Sequence, residues 1–296
     1  MPDYAALFYW VREREQARVR KDNGAPLPYS PDPILSKYRF CNVRREDDRG
    51  TVWIRKNIRE RFAGHPHLWF MLCIARQINW PETLQHLIDM GAWPDQPNFY
   101  PSEITTVLSN RKLADLKIYT GAYMISAPSK KGADKQAYIA ETVCGALWER
   151  RDIFAKYFSQ PRQAFVSCAG APKLQRTHEL IARSNGWGQF MAYQAVVDMR
   201  FTPLLDQASD LATWAAAGPG TLRGLNRLHG RALDAALSQG QALSEMRAIY
   251  AVVQQETGVT MDFSDVPNIL CETDKYLRVK NGEGAPRALF VPGRGY

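Results

Sequence analysis

Twelve residues in the first third of the chain, HLWFMLCIARQI (His67 to Ile78), are apolar almost all round and leave few choices of architecture. A helix that is apolar on every face must be covered on every face, and at 1.5 Å per residue this one, about 18 Å long, falls well short of the roughly 30 Å hydrocarbon core of a bilayer. It predicts a central helix wrapped by others. The flanking segments supply the wrapping. Tyr4 to Lys21 sets Leu7, Phe8, Trp10 and Val11 among charges at helical spacing, and Trp80 to Gly91 and Pro101 to Leu116 each open with a proline and carry an apolar stripe, with Ser102 expected to cap the latter. No strand-rich region is present. The expected fold is all-α: a single domain over 1–296, with two helical lobes, about 34–165 and 166–290, around a cleft.

Between the first two helices, four prolines from Pro26 to Pro33 predict an extended connector, because proline fixes φ and disfavours helix at the residue before it. The next segment, Tyr38 to Ile54, is the densest in charge. Arg44, Arg45 and Arg49 stand with Glu46, Asp47 and Asp48 inside six positions, stapled between apolar flanks. Arginine forks bind anionic oxygens at two points, and neighbouring carboxylates hold those forks or accept protons, so this segment suits an anionic ligand. The alternative is a helix surface laced with salt bridges. A basic helix from Val52 to Ala63 should follow, bearing Arg55, Lys56, Arg59 and Arg61.

Four later segments carry further polar groups. The loop Ala127 to Lys135, APSKKGADK, is basic and leads into a helix near Asp134, a pattern shared by phosphate-holding loops and plain solvent-exposed ones. Gly186 to Thr202 reads as a buried helix carrying Gln189, Gln194 and Asp198, each of which needs a partner if it is buried. Asp210 to Arg231 reads as a helix, a Gly218-Pro219-Gly220 turn and a second helix bearing Arg223, Asn226 and Arg227. Such a unit can grip a DNA phosphate with backbone N–H groups, and a plain helix connection looks the same. The last segment, Asp265 to Gly284, packs Cys271, Glu272, Asp274, Lys275 and Tyr276 together, suitable for proton transfer or for a charged surface helix.

A net charge of +8 and a pI near 9.2 favour a polyanionic partner such as nucleic acid. Five scattered cysteines without CxxC pairing read as reduced thiols, which points to the cytoplasm; neither a disulfide framework nor a zinc site is expected. His65 and His67 form an HxH with no further ligands nearby. The N-terminal stretch turns charged too early for a signal peptide.

The segments FYWVRERE, SPDPIL, YRFCNVRREDDRGTVWI, GWGQFMAYQAVVDMR, AGPGTLRGLNRL and LCETDKYLRVKNGEGAPR, spread from Phe8 to Arg287, resemble the helical domain of phage 5-hydroxymethyldeoxyuridine DNA kinases. They also resemble the stand-alone α-glutamyl/putrescinyl thymine pyrophosphorylases, or amino acid:DNA transferases. The resemblance implies the helical architecture of helix-hairpin-helix DNA glycosylases and a role in hypermodifying thymine in phage DNA within the host cytoplasm. An amine, from an amino acid or polyamine, would displace the phosphate or pyrophosphate of an activated 5-hydroxymethyluracil in double-stranded DNA. No GxxxxGK[ST] occurs, so P-loop kinase chemistry is not expected.

Under that reading Arg44, Arg45, Arg49 and Lys275 would stabilise the leaving pyrophosphate, and Asp48, Glu272 or Asp274 would take the amine's proton. Asn42 and Gln189 would read the uracil edge, with Asp198 and Tyr276 supporting, and Gly218, Gly220, Arg223, Asn226 and Arg227 would hold DNA. The base would be extruded from the duplex for reaction. No cofactor is expected, and a divalent ion is left open. Two alternatives remain: a non-catalytic DNA-binding module that recruits a modification enzyme, and a base-excision glycosylase. The second is disfavoured because only Asp234 and Glu245 follow the turn as candidate catalytic carboxylates.

Overall fold

A computed structural model describes residues 2–122, 125–129, 132–160 and 171–292. Lys130 and Lys131 of the basic loop, and Cys168, lie outside the described residues. The chain opens with α1 (Ala5–Asp22) and α2 (Pro33–Lys37), and α3 (Arg49–Ile54) passes directly into a π-helical turn at Arg55–Arg59. Next come α4 (Leu68–Ile78), α5 (Pro81–Asp89), α6 (Pro101–Leu113) and α7 (Lys135–Ala137), the last continuing into a second π-helical stretch, Tyr138–Cys144. Then follow α8 (Gly145–Trp148), α9 (Arg151–Phe158), α10 (Leu174–Ala182), α11 (Gln189–Met199), α12 (Pro219–Leu228), α13 (Gln239–Thr257) and α14 (Val266–Lys280). Among the described residues β pairing is limited to an isolated bridge, Tyr38 with Leu289. The protein is all-α, and none of its described helices is long and apolar enough to cross a membrane.

The chain divides into two compact units, one made of residues 1–51 and 212–296, the other of residues 52–211. These boundaries differ from the expected lobes at about 34–165 and 166–290. The first unit is discontinuous because α1 packs on α13 and α14, the last two helices of the chain. Its core joins Leu7, Trp10 and Val11 of α1 to Met246 and Ile249 of α13 and Ile269 and Leu270 of α14. The proline connector is non-helical and mostly exposed, and it is fastened at its end by Asp32. That carboxylate caps α2 by accepting from Ile34 N (2.7 Å) and Leu35 N (3.0 Å), and its other oxygen accepts from the Tyr9 and Tyr276 hydroxyls, each at 2.8 Å.

α12 lies against α14 through Gly220 and Gly224. A methyl at Gly220 would overlap the Cys271 Sγ, and one at Gly224 would overlap the Leu270 carbonyl oxygen, so the two helices approach only because side chains are missing there. The helix expected before this one is absent. Residues 203–213 form turns and 214–218 have no regular structure. The backbone groups of this stretch are taken up by side chains instead. Ala217 N donates to Gln239 Oε1 (3.1 Å), Gln239 Nε2 donates to Ala217 O (3.0 Å), and Arg247 reaches Thr213 O. Asp210, expected at the start of that helix, caps α10 by accepting from Leu174 N (2.9 Å) and Gln175 N (3.0 Å). The helix-turn-helix geometry read from Asp210 to Arg231 is therefore corrected to a single helix with Gly218 at its N-cap.

In the second unit α4 is buried along its whole length, as its all-round apolar sequence requires. Trp69 stacks on Phe154 with ring centroids 4.1 Å apart, and Phe70 meets Phe99 and Trp148 edge-on or tilted. The one formal charge inside α4, Arg76, is buried and pairs with the fully buried Asp198 of α11 through two hydrogen bonds, Nε–Oδ2 at 2.5 Å and Nη2–Oδ1 at 2.8 Å. Three local expectations need correction. Tyr100, not Ser102, occupies the N-cap of α6; the basic helix after α3 ends in the π turn rather than at Ala63; and Gln189 is exposed in the first turn of α11, whereas Gln194 and Asp198 are buried.

Candidate functional site

The site is assembled in the first unit where the segment 40–48 crosses α14. Its anchor is Asp265, just before α14. The carboxylate accepts from Asp262 N (2.9 Å) and from Arg45 N (3.0 Å), while Asp262 accepts from Ser264 N (2.7 Å), so one capping arrangement both starts the 3-10 turn Phe263–Asp265 that leads into α14 and holds the distant segment. Burial pushes the Asp265 carboxyl up to about 7, against the two N–H groups that favour its charge.

Asn42 fixes the segment's shape. Its Oδ1 accepts from Arg14 Nη2 (2.6 Å), its Nδ2 donates to Asp47 O (2.8 Å), its N donates to Asp48 Oδ1 (2.9 Å) and its carbonyl accepts from Asn268 Nδ2 of α14 (2.9 Å). Arg14 Nε also donates to Cys41 O (3.0 Å). The consequence is a kinked, rigid backbone that presents Cys41 N to Glu272 Oε2 at 3.0 Å. That same oxygen pairs with Lys275 Nζ at 2.5 Å, and the ammonium stands 4.6 Å above the Phe40 ring centroid.

Electrostatics single out this cluster. Burial lowers the pKa of Lys275, but Glu272 together with the Cys41 and Cys271 thiols outweighs it and the net shift is upward, so the ammonium keeps its charge. Asp48 moves the other way for a carboxylate: burial raises it to about 6, helped by the nearby Glu272 and opposed by Asn42 N–H, Arg45 and Arg14. Burial also raises the thiol of Cys271 to about 11 and lifts that of Cys41. Yet Cys41, Asp48, Cys271 and Lys275 all retain solvent-accessible surface. These four side chains are thus strongly desolvated and still partly exposed. A fixed cation, a carboxylate that titrates near neutrality and a free backbone-shaping network can together hold an anion and accept a proton.

Of the residues expected at the site, Asn42, Asp48, Glu272 and Lys275 are brought together, and Arg45 contributes its N–H and its charge. Others have different partners. Arg44 donates to Asp47 (2.8 Å), Glu15 (2.9 Å) and Thr260 O (3.4 Å), in a network shared with Arg18 of α1. Arg49 is exposed at the start of α3. Asp274, two positions after Glu272 and so turned by roughly 200° around the helix, faces α12, where it accepts from Arg223 Nε (3.0 Å) and Arg227 Nε (2.7 Å). Both of its oxygens are engaged there, so the expectation that it sits with Glu272 as a proton acceptor is corrected. Tyr276 is buried with its hydroxyl on Asp32.

The DNA-facing set is similarly altered. Asn226 is buried and donates to Leu233 O (3.2 Å) and Ala235 O (3.0 Å), closing the loop after α12. Gly220 serves helix packing, Arg227 also pairs with Glu283, and Arg223 remains about half exposed. In the second unit Asp198 is consumed by Arg76, and Gln189 offers its carbonyl to His178 Nε2 at 2.8 Å. Residues the sequence did not mark are Arg14, Phe40, Cys41 and Asn268. No local motif announces them, since each acts through a contact with a distant segment.

This architecture defines an all-helical protein in which the segment 40–48 and α14 together build a partly exposed cluster of Asp48, Glu272 and Lys275. Residues 2–285 match the family described as the helical domain of 5-hmdU DNA kinase, and the chain belongs to that family. No curated protein and no solved structure matches it.

Proposed function

We propose that the protein modifies thymine-derived bases in phage DNA, displacing the phosphate or pyrophosphate of an activated 5-hydroxymethyluracil with an amine such as an amino acid or polyamine. Membership of the 5-hmdU DNA kinase helical family supports the DNA and base-modification context. The single observation that supports the transfer chemistry is the Glu272–Lys275 pair, held by Cys41 N–H beside Asp48. In the step itself the amine nitrogen bonds to the 5-methylene carbon, the carbon–oxygen bond breaks, and the pyrophosphate departs with the electron pair. Lys275 offers its charge to the departing oxygens, and Glu272 positions that ammonium. Asp48, ionised above about pH 6, takes the proton that the attached amine must shed. The base is extruded from the duplex so that its 5-substituent can be approached.

The test is mass spectrometry of nucleosides from DNA carrying pyrophosphorylated 5-hydroxymethyluracil, incubated with the protein and a panel of amines. An amino-linked thymidine is expected. Unchanged nucleosides with DNA binding intact would replace this reading with that of a recruiting module, and abasic sites would replace it with that of a glycosylase.

A further inference from the structure

Of the two arginines that α12 directs at Asp274, one is fully engaged and the other only at one atom. Arg227 donates through Nε to Asp274 Oδ1 (2.7 Å) and through Nη1 and Nη2 to the two oxygens of Glu283, and its side chain is 10% exposed. Arg223, one turn earlier, donates through Nε to Asp274 Oδ2 (3.0 Å), and among the described residues no other hydrogen bond or ion pair of this side chain is found. It stands 44% exposed. A guanidinium held at Nε has its Nη groups left for a second, planar partner. Asp274 is itself buried, so the anchor is fixed.

Neutralising the buried carboxylate explains only one of these arginines. A buried aspartate needs a cation in good geometry, which Arg227 supplies, and a second, exposed pair adds little to stability. What the second arginine adds is a surface charge with a set direction. That direction is shared with the candidate site. Gly220 packs so closely on the Cys271 Sγ that Arg223, three residues further along the same side of α12, meets α14 beside Cys271. Around α14, Asp274 lies roughly 60° to one side of Cys271 and Lys275 about 40° to the other. Cys271 is partly exposed, and its thiol is under the influence of both the Lys275 and the Arg223 charge. Lys275 gives one of its three N–H groups to Glu272, so two cations border the same partly exposed stretch of the seam between α12 and α14.

We infer that Arg223, held at Nε by Asp274, binds a phosphate of the DNA substrate through its Nη groups, with the Lys275 ammonium as the neighbouring cation. The phosphate belongs either to the DNA backbone or to the activated 5-substituent, and both present the oxygens that a guanidinium fork takes. The contact is made by a side chain, where the sequence suggested the backbone of a glycine turn. This assignment rests on the proposed DNA substrate but not on the transfer step.

The test is a titration of affinity against salt concentration for the wild type, Arg223→Gln and Arg227→Gln, on duplexes carrying thymine, 5-hydroxymethyluracil or its pyrophosphorylated form. The two variants lose the same formal charge, so Arg227→Gln controls for the general field of the protein. Arg223→Gln should weaken binding about tenfold and reduce the slope of log affinity against log salt by about one, with a Tm close to that of the wild type. Arg227→Gln should lower the Tm and leave the slope unchanged. A loss on all three duplexes assigns the contact to a backbone phosphate, and a loss confined to the pyrophosphorylated duplex assigns it to the 5-substituent; either supports the phosphate site. Unchanged affinity and slope in Arg223→Gln would overturn it, as would equal losses in the two variants. A wild type that binds none of the duplexes would remove the DNA substrate itself, and the inference with it, a failure distinct from that of Arg223 alone. None of these readouts requires turnover, so a failure of the transfer chemistry is recorded separately by the nucleoside analysis.

Discussion

Lys275 and Asp48 are the two side chains whose chemistry departs most usefully from that of the same residue in water. Lys275→Met keeps the stem on Phe40 but removes the charge opposite Glu272, and is expected to lower amine transfer by about 10²-fold or more with duplex affinity nearly unchanged, as read by nucleoside mass spectrometry and a binding titration. Asp48 gives a pH signature. Its folded pKa of about 6 lies above the ordinary carboxylate value of roughly 3.9, so between about pH 4 and 6 the unfolded chain releases a proton that the folded protein retains. Stability therefore falls across that window and stays lower above it, by an amount of order 1–2 kcal/mol once partial exposure is allowed for. Asp48→Asn should raise the Tm at pH 8 and leave it unchanged near pH 4. The transfer rate of the wild type should climb through about pH 6, and the variant should lose that climb along with most of the rate.

At the scale of elements, the crossing of α12 and α14 is set by what two glycines lack. Gly224→Ala places a methyl against the rigid Leu270 carbonyl and is expected to cost about 2–4 kcal/mol, measured by urea denaturation. Gly240→Ala in the first turns of α13 meets open space at ordinary φ, and should be neutral or stabilising by about 0.5–1 kcal/mol. Equal effects would show that helix propensity, not approach distance, governs both. The α4–α11 pairing makes a second element-scale claim. Asp198→Ala strands the buried Arg76 guanidinium and should cost about 3–5 kcal/mol, whereas Arg76→Met combined with Asp198→Leu should recover most of that loss. Glu272 and Asp274 show why charge density alone did not locate the site. They are two positions apart in sequence, yet helical rotation sends one to Cys41 N–H and the other to the arginines of α12.

For the whole molecule, the first unit depends on both ends of the chain. Truncation after Gly258 removes α14, so the amides of α1, more than 240 residues away in sequence, should lose protection in hydrogen exchange. Retained protection there would contradict the packing of α1 on α14. What the sequence determined by itself was what short-range chemistry dictates: helices from 3.6-residue periodicity, the buried α4 from its unbroken apolar run, breaks at proline and glycine, and the basic, charge-dense segment worth watching. Only the tertiary structure decided which charges meet. Arg14 with Asn42, Glu272 with Cys41 N–H, Asp210 with the start of α10 and Arg76 with Asp198 each join residues far apart in the chain. Their pairing follows from which faces of the helices are covered, and no local pattern of residues carries that information.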